Sequence, residues 1–489
     1  MPARGIAILQ READLQRAAP AFVSASRFSP AGSSYGGYTR SRRAHVGLLM
    51  TDYLLLLVMF AAAFWVLDPP RLGLDRLTGI KHLPLLALAG VVTVAVTGAA
   101  LFRAPNTPLY GRAIARAAWP LLLFAAGVMG GSLYGRLLHG VENSFLNMGL
   151  LVWVMPATAW MAARCADPAK LARGFFLALG GVAFAVGLLQ WARGGGVAYY
   201  HGTEYAVIPL AIYGWYAARS WPARIFLFLF FASLALAQHK NTGYLLAFFA
   251  VAYCAVQAWR AGYRAARDAM ARERQVGWAA FLLIGTCLFS LGFYALRKLL
   301  LPSGNPDYRL HTYQKALDKF FDSPLVGTGF TGPATERFEL YQVAVSSSNV
   351  LPTHSDPLDI LANGGVIYSL LFVLGAWLLL RLMLGAIARA ELVAAQRPGR
   401  GMPPTPQAMA RDCVAPLHGC VAIFASALIV CAFNPVLTQP NAALVMWAAA
   451  GLGLGLALRV REILPPPATP RRGRHDKAGP RHVPPAGAR

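Results

Sequence analysis

Long apolar segments alternate with short polar segments along most of the chain. A run of about 20 apolar residues can cross the roughly 30 Å hydrocarbon core of a bilayer as a helix. The pattern predicts an all-α polytopic membrane protein with about 12 transmembrane helices. The predicted spans begin near His45, Leu83, Ala115, Ser144, Gly174, Glu204, Ile225, Gly243, Gly277, Gly365, Pro416 and Ala442. A short basic break, ARSWPAR, separates the runs that begin near Glu204 and Ile225.

The composition supports a membrane protein. Of the 489 residues, 56% are hydrophobic and 13% are charged, whereas soluble proteins carry roughly 25% charged residues. The net charge of +24 would suggest nucleic acid in a soluble chain. No basic patch is interleaved with aromatic residues, so we expect no nucleic-acid partner. The six Cys residues show no paired spacing, and we expect neither a disulfide framework nor zinc.

The distribution of Lys and Arg predicts the orientation of the chain. With the N-terminus inside, about three quarters of the 45 Lys and Arg residues fall in inner segments, as the positive-inside rule requires. Both termini are therefore expected to be cytoplasmic. The run near His45 is too long for a signal-peptide core and is predicted to be an uncleaved first span.

One long polar segment, residues 297–363, falls on the outer side. Loops of this length are uncommon between spans and often carry function. Cations held outside against the topological bias also indicate a function. The cations of this segment are Arg297, Lys298, Arg309, Lys315, Lys319 and Arg337.

Within this loop, residues 308–321 are predicted to form an amphipathic helix that Asp307 caps. The helix would lie on the membrane surface or pack against the bundle, with an apolar stripe that includes Leu317. Arg309 falls in its first turn, where the helix dipole disfavours a cation. Its guanidinium suits phosphate oxygens, and an interfacial, snorkelling arginine is the alternative.

A histidine and two carboxylates precede the next apolar run, in PTHSDPLDILANGGVIY. Asp356 followed by Pro357 predicts a helix that begins at Pro357 with Asp356 as its N-cap. Asp359 can reach back to the cap. Gly364 and Gly365 allow a break or close packing where the chain enters its next span.

His354 stands immediately before this predicted helix N-terminus, which favours an anion and a neutral imidazole. His354 is thus a candidate general base beside an anion site, and a solvated loop histidine is the alternative. A second outer cation, Lys240, lies in the turn QHKNTG between two apolar runs. A cation at membrane depth needs an anionic partner. That partner is a lipid phosphate or diphosphate, or else an ordinary phospholipid headgroup.

These segments resemble the O-antigen ligase and polymerase superfamily. His354 and Ser355 are followed by Gly365 and Tyr368 at the spacing of the ligase motif. The segment SPLVGTGF, which begins at Ser323, is similar to the Pro-Leu-x-Gly-x-Gly turn of the family.

Two further positions match the family, and two depart from it. Arg309 is placed like the family arginine that opens the preceding helix, and QHKNTG lies where the family often has Ser-Arg-Gly. Lys240 replaces an arginine there, which keeps the charge but loses the bidentate geometry. Asn363 stands where a glutamate is common.

The resemblance implies a metal-independent glycosyltransferase with a GT-C-like fold and no cofactor. Its donor would be an undecaprenyl-diphosphate-linked glycan on the periplasmic side of the bacterial inner membrane. His354 would take the proton of the acceptor hydroxyl, and Arg309 and Lys240 would bind the diphosphate. Direct displacement would invert the anomeric configuration. Asp356 or Asp359 would orient His354.

Several activities and one other class of protein stay open. The spacing of the motif favours an O-antigen ligase, with lipid A-core as acceptor. O-antigen and exopolysaccharide polymerases and protein O-oligosaccharyltransferases share much of the pattern. A transporter or flippase also fits twelve spans, although the two halves show no repeat, and a scaffold would leave His354 without a role. Whether His239, His311 or Arg337 join the site is open.

The resulting organisation has five parts. They are a cytoplasmic basic segment (1–44), transmembrane helices 1–9 (45–296), a periplasmic catalytic loop (297–363), transmembrane helices 10–12 (364–460) and a disordered basic cytoplasmic tail (461–489). Membrane lipids are the expected surroundings.

Overall fold

The computed structural model describes residues 108–139, 145–164, 167–192, 204–236, 241–265, 305–330, 355–395 and 405–463. All regular secondary structure in these ranges is helical, which confirms the predicted all-α class there. The helices are α1 (Pro108–His139), α2 (Phe145–Val152), α3 (Val154–Arg164), α4 (Pro168–Ala192), α5 (Glu204–Ala217), α6 (Trp221–Leu236), α7 (Asn241–Ala265), α8 (Asn305–Asp322), α9 (Asp356–Ala395), α10 (Thr405–Cys431) and α11 (Pro440–Ile463).

Seven helical segments in these ranges are long and apolar enough to cross a membrane. They are Ala117–Gly135, Phe145–Ala163, Pro168–Ala185, Thr242–Trp259, Asp356–Ala395, Gln407–Cys431 and Ala442–Arg461. A polytopic membrane protein is thereby confirmed. The predicted spans near His45, Leu83 and Gly277 lie outside the described residues, so the total of about 12 stays a prediction.

The predicted spans from Glu204 and Ile225 form shorter helices than expected. α5 has 14 residues and α6 has 16, so they are about 21 and 24 Å long, less than the hydrocarbon core. The basic break does separate two helices. Its Arg224 donates from Nε to the carbonyl of Ala218 at 3.0 Å, and this bond holds the turn between them.

The core of the bundle lies around α11, which packs against α3, α9 and α10. Small residues permit the close approach of α3 and α11. A Cβ added to Gly455 would lie 2.5 Å from the carbonyl oxygen of Ala159 and 2.6 Å from Cβ of Ala162. Such contacts are the usual basis of helix association in lipid, where no hydrophobic force joins the helices.

The amphipathic helix predicted in the outer loop forms as α8, but it begins at Asn305 rather than at residue 308. Pro306 at its second position explains the early start, because a helix needs no N–H group in its first turn. Asp307 is therefore inside the helix and not its cap, and Arg309 lies in the second turn. Leu317 is exposed, which fits a helix on the membrane surface.

Candidate functional site

The site region begins where α9 begins. Helix α9 starts at Asp356, one residue before the predicted start. The carbonyl of Ser355 accepts the N–H of Asp359 at 3.0 Å, so Ser355, rather than Asp356, occupies the cap position. The predicted break is present, since Gly365 has φ 61° and ψ −163° inside the helix.

Residues 323–330 supply the carbonyl groups that the break requires. In a continuous helix the amides of Val366 and Ile367 would bond to carbonyls one turn earlier. Instead, the amide of Val366 donates to the carbonyl of Pro324 at 2.9 Å, and that of Ile367 donates to Leu325 at 3.2 Å. The turn thus caps the part of α9 that follows Gly365.

The same turn also satisfies the carbonyl groups that the break leaves free. Thr328 donates its N–H to the carbonyl of Ala362 at 3.4 Å, and Gly329 donates to Asn363 at 2.8 Å. All four interrupted backbone groups therefore find a partner, as buried backbone requires. We call this contact between residues 323–330 and residues 362–367 the kink junction.

Glycine is required on both sides of the kink junction. Gly327 and Gly365 have φ of 69° and 61°, backbone conformations that cost other L-residues about 1–3 kcal/mol. A Cβ on Gly365 would also lie 2.6 Å from the amide nitrogen of Gly327 and the carbonyl oxygen of Leu325. The two glycine-containing motifs, SPLVGTGF with Gly327 and PTHSDPLDILANGGVIY with Gly365, thus contact each other.

Aromatic side chains fix the kink junction to the membrane helices. Phe330 is buried and lies 5.4 Å from the ring of Tyr368 and 5.6 Å from that of Phe145. Ser132 on α1 donates its hydroxyl to the carbonyl of Phe330 at 3.2 Å. A Cβ on Gly127 of α1 would collide with the Tyr368 ring. In the described structure, Tyr368 therefore packs between helices.

A lysine not predicted to belong to the site joins α8 to the start of α9. Lys319 donates from Nζ to Oδ1 of Asn363 at 2.9 Å, and Asn363 donates from Nδ2 to the carbonyl of Asp359 at 2.8 Å. Asn363, which departs from the family pattern, thus accepts a hydrogen bond from Lys319 and donates one to Asp359 through the same side-chain amide. The only signal for Lys319 in the sequence is its charge in a segment predicted to lie on the outer side.

Asp356 holds a distant part of the chain. Its carboxylate is fully buried, and Oδ2 accepts the N–H groups of Val436 at 2.6 Å and Leu437 at 2.8 Å. Oδ1 lies 3.5 Å from the hydroxyl of Thr438. These three residues belong to the connection between α10 and α11, residues 432–439, which we call the α10–α11 connection. Nothing in the sequence indicated this pairing.

The α10–α11 connection also contacts the start of α7. Asn434 donates from Nδ2 to Oγ1 of Thr242 at 3.1 Å. Thr242 is the second residue of α7 and follows Lys240 by two positions. Asp356 follows His354 by two positions as well. One connection therefore touches both helices that begin beside predicted site residues.

The predicted site residues differ in how far the structure describes them. His354, Lys240, His239 and Arg337 lie outside the described residues. Arg309 and His311 lie on α8, but their side chains are outside the described part. Ser355, Asp356, Asp359 and Gly365 are buried at the start and break of α9, and Tyr368 lies one turn further on. The roles assigned to all of these residues stay predictions.

In the described ranges, seven helical segments long and apolar enough to cross a membrane define an integral membrane protein. Residues 225–373 match the model of a protein family described as O-Antigen ligase. Over this segment the match confirms the predicted resemblance to the O-antigen ligase superfamily. The matched segment includes α7, α8, the kink junction and the start of α9. No curated protein matches the chain.

Proposed function

We propose that the protein transfers an undecaprenyl-diphosphate-linked O-antigen glycan to lipid A-core on the periplasmic face of the bacterial inner membrane. The family match supports a reaction of the ligase and polymerase type. The spacing from His354 to Tyr368 supports the ligase among these. Both termini would be cytoplasmic, and residues 297–363 would form the catalytic loop.

The observation that carries this proposal is the way three helices are joined beside the predicted residues. The α10–α11 connection bonds to Thr242, just after Lys240, and to Asp356, just after His354. Lys319, ten residues after Arg309 on α8, donates to Asn363 of α9. Three helices far apart in the sequence are thereby linked, two of them immediately after predicted site residues, which supports a shared site.

The reaction would be a direct displacement at the anomeric carbon. The acceptor hydroxyl oxygen forms the new bond, the bond to the diphosphate oxygen breaks, and the leaving diphosphate keeps the electron pair. His354 takes the hydroxyl proton, and Arg309 and Lys240 stabilise the negative charge of the leaving group. Attack opposite the leaving group would invert the configuration. Two cations would then supply the charge stabilisation that metal ions supply elsewhere, so we expect no metal requirement.

Asp356 and Asp359 would act as supporting residues in this scheme. Asp356 has its carboxylate directed at three residues of the α10–α11 connection. We therefore propose that Asp356 positions His354 by anchoring the backbone, rather than by a bond to the imidazole. Ser355, Gly365 and Tyr368 would support the same helix start, through the cap and the kink junction.

Other members of the superfamily provide the alternative functions. An O-antigen or exopolysaccharide polymerase would use a second lipid-linked repeat as acceptor, and a protein O-oligosaccharyltransferase would use a protein hydroxyl. A transporter or flippase would move the lipid-linked glycan without breaking it. Its ionisable groups would be expected at mid-depth in the bundle, whereas the sequence predicts the site residues in one outer loop and one outer turn.

A transfer assay with purified components tests the proposal. The protein receives an undecaprenyl-diphosphate-linked glycan and either lipid A-core or a second lipid-linked repeat, with chelator present. Product on lipid A-core supports the ligase, and longer chains on the lipid diphosphate would make the protein a polymerase. Absence of product from folded protein would favour a transporter. His354→Ala should lower the rate by about 10²–10⁴-fold, with Phe226→Ala on α6 as the control.

A further inference from the structure

The α10–α11 connection lies outside residues 225–373, the segment that matches the family. It nevertheless touches the starts of both α7 and α9. Its sequence, AFNPVLTQ, contains no charged residue. Arg309 and Lys240 are the predicted ligands of the diphosphate. If the uncharged α10–α11 connection borders the site, it must therefore contact another part of the donor.

The connection holds one aromatic side chain in a fixed and exposed position. The amides of Phe433 and Asn434 both donate to the carbonyl of Val430, at 2.9 and 2.8 Å. Three residues after Phe433, the amide of Val436 donates to the carboxylate of Asp356. The backbone is therefore fixed on both sides of Phe433, yet 47% of Phe433 is exposed, while Val436 is fully buried.

We propose that the α10–α11 connection forms a glycan-binding wall and that the ring of Phe433 stacks on a sugar of the lipid-linked donor. This inference rests on the proposed function. The C–H face of a sugar carries partial positive charge, which the negative face of an aromatic ring attracts. Phe433 would thus be a substrate-contacting residue that no motif of the sequence indicated.

The neighbours of Phe433 favour the donor glycan over a lipid chain. Asn434, the next residue, bonds to Thr242 of α7, and α7 begins one residue after Lys240, the predicted diphosphate ligand. The glycan of the donor is joined directly to that diphosphate. Gln439, which is partly exposed, adds a neutral polar group in the same connection, and such a group suits sugar hydroxyls better than acyl chains.

Three variants at this position distinguish the possible contacts in the same transfer assay. Phe433→Ala and Phe433→Leu should raise the KM for the donor by about five- to tenfold, with kcat within about threefold of the original. Phe433→Trp keeps an aromatic face and should stay within about threefold. Phe226→Ala, on the similarly exposed Phe226 of α6 (65% exposed), is the matched control and should change neither constant.

Two results would overturn the inference. If Phe433→Leu behaves like the unmodified protein while Phe433→Ala does not, the contact is apolar and the partner is a lipid chain. If all three variants keep the original KM, the ring does not touch the donor. A donor with a shortened prenyl chain checks the same point. If the ring contacts the glycan, Phe433→Ala should raise the KM for this donor by the same factor as for the full-length donor.

The assay separates this inference from the function on which it rests. If the unmodified protein is active and Phe433→Ala does not change the KM, the glycan-binding wall is refuted, whereas the proposed function stands. An unmodified protein that transfers no glycan would remove both proposals. Because Phe433 is exposed, truncation should leave folding intact, and thermal unfolding of each variant verifies this.

Discussion

Two polar regions of the molecule are held together by opposite means. The kink junction uses backbone groups, with four hydrogen bonds between residues 323–330 and 362–367. The second region, which we call the histidine cluster, uses side chains: Nδ1 of His418 lies 2.9 Å from the hydroxyl of Tyr253, and Nε2 lies 3.2 Å from Oε1 of Glu391. A neutral imidazole with its proton on Nε2 donates a hydrogen bond to the Glu391 carboxylate and accepts one from the Tyr253 hydroxyl at Nδ1.

This difference determines which substitutions each region tolerates. At the kink junction the backbone shape matters most, so the glycines are essential. In the histidine cluster the chemistry of each side chain matters, and the ring of Tyr216 also stacks on His418 at 3.7 Å between centroids. The kink junction lies within the family-matched segment, whereas His418 lies beyond its end. We therefore expect activity to depend on the first region and stability on both.

The largest effect is expected from Gly365→Ala. The new Cβ would meet the backbone of Gly327 and Leu325 at 2.6 Å, in a conformation that favours glycine. The strain and the lost hydrogen bonds should lower the free energy of unfolding by about 3 kcal/mol and abolish glycan transfer. Denaturant titration and the transfer assay measure the two effects. A variant with normal stability and rate would show that the kink junction is not needed.

A smaller loss is expected from His418→Phe. The new ring can still stack on Tyr216, but both hydrogen bonds of the imidazole disappear inside the bundle. Removing them should cost about 2 kcal/mol of unfolding free energy, with a transfer rate within about threefold of the original. Tyr216→Phe keeps the ring stack and both bonds, and serves as the control. A large drop in the rate of a folded His418→Phe protein would mean that the histidine cluster takes part in function.

The helices could be predicted from the sequence more readily than the contacts at their ends. Apolar length located most spans, and the glycine pair indicated a break in α9 where Gly365 lies. The predicted start of α8 at residue 308, with Asp307 as the cap, is wrong, because Pro306 allows the helix to begin at Asn305. Hydrophobic periodicity reports only which face of a helix is buried, and carries no information on pairs such as Asp356 and Val436.

Pairing between α8 and α9 predicts an intermediate effect at Asn363. Asn363→Leu removes two hydrogen bonds, the one from Lys319 and the one to the carbonyl of Asp359, and should lower the unfolding free energy by about 1.5 kcal/mol. Asn363→Glu restores the acceptor for Lys319 but not the donor to Asp359, so about half of this loss should be recovered. Thermal unfolding of both variants and of Lys319→Met measures these changes. Equal losses in the leucine and glutamate variants would contradict a role for the hydrogen bond from Lys319.

The smallest effect is expected from Val366→Ala, immediately after the essential glycine. The amide of Val366 bonds to the carbonyl of Pro324, but its side chain is 37% exposed. Truncation keeps the backbone bond, so the change in unfolding free energy should stay within about 0.5 kcal/mol and transfer should be unaltered. The contrast with Gly365→Ala identifies what stabilises the kink junction. Gly365→Ala changes the backbone conformation, whereas Val366→Ala at the adjacent position changes only a side chain. A comparable loss in both variants would mean that packing, rather than backbone pairing, holds the kink junction.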